Sequence, residues 1–250
     1  MNPIVSIITC SLATNLMERT FVSIQKQCCS DWEWILVTPE KDKEVERIEN
    51  EFEYSEKIKV VLDDKQGIYA AMNLGARSSG GQYLVFLNEG DEFHDSQGLY
   101  NLIEAVKGKD WAFGGMLKVS SLHDKQKFYK FRPYSRTLHR FGWKYVPHPS
   151  SIVSRKAFEA VGGFNIRERI AADQELFLRV SQISKPGISK EVISQFHLGG
   201  SSSRSVSSAM KDAKRISNAV FGPILGIKIV DDLLWNLNVS LKSILKRMSS

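Results

Sequence analysis

At 250 residues, with 42% apolar and 25% charged side chains, the chain suits one large domain, or one domain with an appendage, around a substantial core. No stretch is apolar enough to span a bilayer and no basic region leads a long apolar segment at the N-terminus, which reads against secretion; Cys10, Cys28 and Cys29 lack CxxC spacing, support neither a disulfide framework nor a zinc site, and fit a reducing cytosol. The net charge of +6 divides unevenly, with 11 Lys+Arg against 19 Asp+Glu in residues 1–110 and 23 against 9 in residues 111–250, so the second half expects an anionic partner: nucleic acid, a phosphate-bearing ligand or an anionic membrane surface.

Strand and helix patterns alternate through the first half. Ile4 to Thr9 reads as a strand, followed by Met17, Phe21, Ile24 and Cys28 at helical spacing. Trp32 to Thr38 is a second strand, and Val45, Ile48 and Phe52 mark one face of an acidic helix. Ile58 to Leu62 is a third strand, Ile68 to Arg77 a helix, Tyr83 to Leu87 a fourth strand, and Leu99, Leu102, Ile103 and Val106 stripe a further helix. Four βα units in succession predict a doubly wound, mostly parallel α/β sheet. Beyond Trp111 the pattern is an irregular α+β extension: a strand over 111–119, the basic-aromatic run Lys127 to Arg132 (KFYKFR), and a loop from Pro133 to Pro147. Next come a short strand Ser151 to Ser154, helices Arg155 to Val161 and Asp173 to Val180, and a strand Val192 to Leu198. The expected division is one domain over 1–210, with a first half to residue 110 and a second from 111, and a helical tail over 211–250.

The fourth strand carries the most information. Five apolar residues, bounded by Gly81 and Gly90, describe a strand buried on both faces. Ligands of such sheets bind beyond the carboxyl ends of the strands, and there the chain reads Asn88-Glu89-Gly90-Asp91. Two carboxylates at that point suit a divalent cation, although an acidic turn after a strand is also a common structural feature.

GIYAAMN (67–73), FLNEGDEF (86–93), HPSSIVSRKAFEAVGGFN (148–165), AADQELFLRV (171–180) and FHLGGSS (196–202) occur in the order found in family 2 glycosyltransferases of GT-A fold. The chain resembles that family from about Ile4 to about Ser203. The resemblance implies a metal-dependent, inverting transfer of a sugar from a nucleotide-sugar, expected to be UDP-linked, to a saccharide or lipid-linked saccharide acceptor. It also implies cell-surface polysaccharide synthesis in the cytoplasm, on the inner face of the membrane. In FLNEGD, Asp91 matches the family's metal-binding Asp, for Mn²⁺ or Mg²⁺; the first Asp of that motif is replaced, with Asn88 and the ribose-facing Glu89 in its neighbourhood. Asp173 matches the general base that takes the proton from the acceptor hydroxyl; an Asp there also suits a helix N-terminus for its capping ability alone.

On the nucleotide side the resemblance assigns Thr9, Cys10 and Ser11 at the end of the first strand, Asp64 and Gly67 before the third helix, and Asn73 within it. Glu40 is a weak substitute for the family's acidic turn after the second strand, which here reads Thr38-Pro39-Glu40-Lys41, and the family's usual Asp in GIYDAMN is Ala70. His148 is expected on the acceptor side. His197 is expected at the metal or a phosphate, and Arg204 on a phosphate in the same closing segment. A different reading of the basic half is a nucleic-acid-binding module built on KFYKFR, and a third is a sugar-nucleotide binder without turnover; the acidic positions Glu89, Asp91 and Asp173 favour the enzyme, with no nucleic-acid partner.

In the tail, Val230, Leu234, Leu237, Leu241, Ile244 and Met248 alternate spacings of four and three. This stripe predicts a helix that lies on a membrane surface, packs on the catalytic domain, or packs on a second subunit.

Overall fold

The computed structural model describes residues 4–11, 16–51, 55–120, 125–129, 133–168, 170–198, 206–223 and 228–248. The first half builds four strands, β1 (Val5–Cys10), β2 (Trp32–Thr38), β3 (Ile58–Leu62) and β4 (Tyr83–Phe86), connected by α1 (Met17–Gln25), α2 (Lys43–Glu51) and α3 (Ile68–Ser78). They lie in the order β3-β2-β1-β4, and every neighbouring pair is parallel. All six residues of β1 are buried, as an apolar strand covered on both faces requires. The chain winds outward from β1 to β3 and then crosses to β4 on the other side of β1. A topological switch point therefore lies between the carboxyl ends of β1 and β4, where α/β sheets form their ligand crevice.

Two apolar layers enclose this sheet. Trp34, Ile7, Phe21 and Ile24 lie in one, with α1; Ile8, Ile35, Met72 and Ala76 lie in the other, with α3. Burial of a side chain of this size contributes about 1.5–3 kcal/mol. Helix α3 approaches β1 and β2 closely because position 75 is glycine, where a Cβ would meet the Ile8 side chain at 2.5 Å and that of Val37 at 3.0 Å.

The second half extends the same sheet with mixed pairing. After β5 (Glu92–Phe93) and α4 (Gly98–Val106) come β6 (Trp111–Ser120), β7 (Lys125–Tyr129) and the short helix α5 (Arg136–Arg140). These lead to β8 (Ser151–Ser154), α6 (Arg155–Ala160), α7 (Ala172–Ile183) and β9 (Gly187–Leu198). Strand β8 runs antiparallel to both β4 and β6, β6 runs parallel to β9, and β5 closes the far edge against β9. KFYKFR divides: its first three residues belong to β7, hydrogen-bonded antiparallel to β6, and the rest lies outside the described residues. The expected loop 133–147 contains α5, and β9 begins five residues earlier than the apolar pattern indicates.

Helices α8 (Val206–Phe221) and α9 (Lys228–Met248) complete the chain. Helix α8 runs through the expected boundary at 210/211 and packs on α7, while α9 packs on α8. The stripe expected on α9 does not face the body: Leu234, Leu237, Leu241 and Ile244 are exposed, and the buried aromatic is Trp235, off the stripe.

Candidate active site

At the end of β4 the chain turns sharply, and one threonine holds the turn. The Asp91 N–H donates to the Asn88 carbonyl at 3.0 Å. Thr20, on α1, accepts from the Gly90 N–H at 3.0 Å through Oγ1 and donates to the Asp91 carbonyl at 2.7 Å. Gly90 has φ +89°, a conformation that glycine adopts without steric cost. The result is an Asp91 side chain buried in the crevice, only 8% of the residue being exposed. Among the described residues nothing donates a hydrogen bond to its carboxyl. Burial, then the neighbouring Glu92 charge, pushes it up to about 8. Asn88 Oδ1 in the same turn is also buried, with no partner among the described residues.

A buried carboxyl repelled by its neighbour and an orphaned amide oxygen are hard oxygen donors, which fit Mn²⁺ or Mg²⁺. His197 is seated differently from a simple metal ligand: its Nε2 lies 2.7 Å from Glu92 Oε1 across the β5–β9 pair. Among the described residues no three His, Cys, Asp or Glu side chains gather tightly enough to hold an ion by themselves. A cation here would depend on ligand oxygens as much as on protein.

On the other wall of the crevice, Ser11 donates from its N–H to the Val37 carbonyl at 2.8 Å and from Oγ to Glu89 Oε2 at 3.1 Å. Cys10 is buried; burial and the charge of Asp63 push its thiol up, out of reach of ionisation. Asp63, at the end of β3, anchors its N–H on the Thr38 carbonyl and accepts from the Lys65 N–H at 3.2 Å. Asp64, Gly67 and Glu40 are exposed around it, Asp64 accepting from Gln66 Nε2 at 3.1 Å.

Two assigned residues turn out to be engaged inside the scaffold. Thr9 is fully buried, donating to the Leu87 carbonyl at 2.8 Å and accepting from Trp34 Nε1 at 2.9 Å. Its hydroxyl clamps β1 to β2 and to the end of β4. Asn73 pairs both amide functions with the Phe164 backbone, Nδ2 to the carbonyl at 2.8 Å and Oδ1 from the N–H at 2.9 Å. It ties α3 to the loop after α6 instead of facing a nucleotide. Arg204 lies outside the described residues.

Asp173 stands in the first turn of α7, half-buried, and is held by a buried polar chain. Gln174 donates from Nε2 to Asp173 Oδ2 at 2.8 Å and to the Val146 carbonyl at 2.9 Å. Its Oε1 accepts from the Val146 N–H and faces His139 Nε2, each at 3.0 Å. His139 Nδ1 lies 3.1 Å from the Tyr134 hydroxyl. Because Gln174 offers an oxygen, Nε2 carries the proton and Nδ1 accepts from Tyr134, an assignment made from partners. Burial pushes His139 down to about 4, so the ring is neutral at pH 7. Neither His139 nor Gln174 stands out in the sequence; their role is created by tertiary contact.

His148 stacks on Phe86 at the end of β4, with ring centroids 5.8 Å apart, and meets the Phe164 ring edge-on. Burial lowers its pKa against the opposing pull of Asp173, and its buried Nε2 has no partner among the described residues. Tyr69 of α3 donates to the Ile170 carbonyl at 2.7 Å, and its hydroxyl feels the Asp173 charge. His148 and Tyr69 thus both stand within electrostatic reach of Asp173.

The fold is shared by solved structures. S. aureus TarS 1–349 in complex with UDP superposes with TM-score 0.68 at 13% identity, over 88% of this chain and 65% of that one. Mannosyltransferase PcManGT from Pyrobaculum calidifontis, in complex with GDP-Man and Mn²⁺, gives 0.60 at 15% identity, over 81% and 59%. In sequence, an uncharacterized glycosyltransferase of Mycobacterium tuberculosis is 29% identical over 158 residues, 61% of this chain and 59% of that protein. A PGL/p-HBAD biosynthesis glycosyltransferase of Mycobacterium bovis is 26% identical over 167 residues, 63% and 61%. The chain thus spans about three fifths of the length of these relatives. The glycosyl transferase family 2 profile matches residues 6–162, from the first strand through the loop that Asn73 braces. With more than half of its length matched and the GT-A fold around the crevice, this chain belongs to glycosyl transferase family 2.

Proposed function

We propose that this enzyme moves a sugar from a nucleotide-sugar, UDP-linked by preference, to a hydroxyl of a saccharide or lipid-linked saccharide, inverting the anomeric centre. The work would serve cell-surface polysaccharide synthesis in the cytoplasm. The observation that carries this reading is the contrast between two carboxyls: Asp91, buried at the end of β4 with no hydrogen-bond donor among the described residues, and Asp173, held by Gln174 and within electrostatic reach of His148.

In this reading Asp173 accepts the proton of the acceptor hydroxyl as its oxygen bonds to the anomeric carbon. The bond from that carbon to the diphosphate oxygen breaks on the opposite face, and the nucleoside diphosphate departs with the electron pair. Asp173 then releases the proton to solvent. Neutral His148 hydrogen-bonds the acceptor. Ser11, Glu89 and Asp63 flank the base and ribose. A Mn²⁺ or Mg²⁺ held by Asp91, with Asn88 adjacent, would supply positive charge to the departing diphosphate. The UDP of the TarS complex and the GDP-Man and Mn²⁺ of the PcManGT complex support a nucleotide-sugar and a divalent ion.

A thermal-shift panel tests the donor: UDP-, GDP-, dTDP- and CMP-sugars, each with and without Mn²⁺. A ligand at a hundredfold excess over its dissociation constant stabilises by roughly 2.7 kcal/mol. UDP-sugars with Mn²⁺ should raise Tm most. Equal shifts from all nucleotides, or none from any, would count against the donor site.

A further inference from the structure

Helix α9 is mounted inside out. Its polar side holds it to the body: Asn238 Nδ2 donates to the Phe141 carbonyl at 3.0 Å, Trp143 Nε1 donates to Asn238 Oδ1, and Lys242 donates to the Gly142 carbonyl. Asp232 pairs with Lys214 of α8, and Asp231 is buried beside Trp235, which packs with Met210 and Ala213. The opposite side carries Ile229, Leu233, Leu234, Leu237, Leu241, Ile244 and Leu245, each between 39% and 74% exposed. At 100° per residue these seven cover about 160° of the circumference along roughly 24 Å of helix. A continuous apolar face of this kind, on a helix already anchored by other contacts, marks an interaction surface.

We infer that this face is a docking surface for an anionic lipid bilayer. Between Ile229 and Leu245 the arc holds no charged residue, Arg247 falls at its edge by the same spacing, and both acids of α9 lie on the body side. The bases Lys228, Lys246 and Arg247 stand in its first and last turns. Basic ends, an uncharged apolar face and an anchored polar face are the distribution that lets a helix lie in a membrane interface. A second copy fits less well. The arc is wider than the two-position seam that one partner helix covers. Whether two such helices ran parallel or antiparallel, basic ends would meet basic ends. No described helix is long and apolar enough to cross a membrane, so the contact is with its surface. The location is apt, because α9 packs on α8, α8 on α7, and α7 carries Asp173, the proposed base, in its first turn. The inference goes beyond the proposed reaction and does not rest on it.

The test is co-sedimentation of the full chain with vesicles of phosphatidylcholine alone or mixed with phosphatidylglycerol. Wild type and the double variant Leu237→Asp, Leu241→Asp are compared, with sedimentation velocity run without lipid. Both positions are exposed and distant in sequence from the crevice residues, so the variant should keep the wild-type Tm and nucleotide-induced shift. Wild type should pellet with the anionic vesicles and remain monomeric without them, and the variant should bind them roughly tenfold or more weakly. A Leu237→Ser, Leu241→Ser pair, which removes apolar surface without adding charge, should weaken binding in the same direction. The inference is overturned if wild type stays in the supernatant with anionic vesicles, if the substitutions leave binding unchanged, or if wild type is a dimer that the substitutions convert to monomer.

Discussion

Asp91 and Asp173 are held by opposite means, and their environments separate their roles. Asp91 is fixed through its backbone by Thr20, and its carboxyl receives no hydrogen bond from the described residues. Asp173 is fixed through its side chain by Gln174. Substitution should therefore part binding from chemistry. Asp173→Asn keeps the shape but cannot take a proton, so turnover with a competent acceptor should fall roughly 10²–10⁴-fold while donor affinity with Mn²⁺ stays near wild type. Asp91→Asn should abolish the Mn²⁺-dependent part of donor affinity, measured by calorimetry, yet melt no lower than wild type, because a neutral amide replaces a carboxyl that burial disfavours. Near wild-type turnover in folded Asp173→Asn would falsify the base assignment. Motif order in the sequence marks both aspartates, but nothing in it marks Gln174 or His139. Gln174 derives its role from Val146, 28 residues away, and His139 derives its role from Gln174.

At the scale of elements, β1, β2 and β4 are legible because each is an apolar run buried largely on both faces, so pattern and environment agree, whereas β3, at the sheet edge, is only half-buried and keeps its apolar run all the same. β1 is shifted by one residue at both ends from expectation, and β4 ends one residue early. β5 escapes detection because two residues, one of them charged, make no pattern; only its pairing with β9 defines it. The scaffold bonds of Thr9 and Asn73 escape sequence reading for a related reason. Polar residues at the ends of strands and within motif helices suggest ligand contacts, whereas here they join elements to one another. The site likewise depends on an element the motifs do not mention. Helix α1 supplies Thr20, which both accepts from and donates to the turn that carries Asp91. Thr20→Val removes both bonds without changing the shape, leaving a buried N–H and a carbonyl unpaired. We expect a loss of about 1–3 kcal/mol in urea unfolding, and donor affinity with Mn²⁺ weakened more than that without. Thr20→Ser should restore both. Equal effects of Val on the two affinities would show that the turn does not set the metal position.

For the molecule as a whole, the buried chain Tyr134–His139–Gln174–Asp173 links the start of α7 to its dependence on pH. His139 accepts from Tyr134 through Nδ1, and a second proton on the ring would remove that acceptor and place a charge in an apolar setting. Burial and Gln174 are the influences that set its pKa. The nearby guanidiniums of α5 turn elsewhere, Arg136 to the Ser181 carbonyl and Arg140 to Ser217 and the Gly222 carbonyl. The native ring therefore protonates only near pH 4, whereas in the unfolded chain it does so near 6.5. Between those values the unfolded state binds the extra proton, so stability is fully present above about pH 6.5 and falls as pH drops, by on the order of 3 kcal/mol across the window. Asp91 acts in the opposite sense: its raised pKa makes the native state the better proton binder up to about pH 8, so its contribution weakens as pH rises through that range. Comparing wild type with His139→Gln at each pH cancels that term. Gln can still donate to Gln174 but does not titrate. Urea unfolding at pH 7, 5.5 and 4.5 should show wild type losing its margin over the variant steadily through the window. Curves that stay parallel would mean that the buried ring is already charged, or that the Tyr134–His139–Gln174 chain does not hold the start of α7 in place.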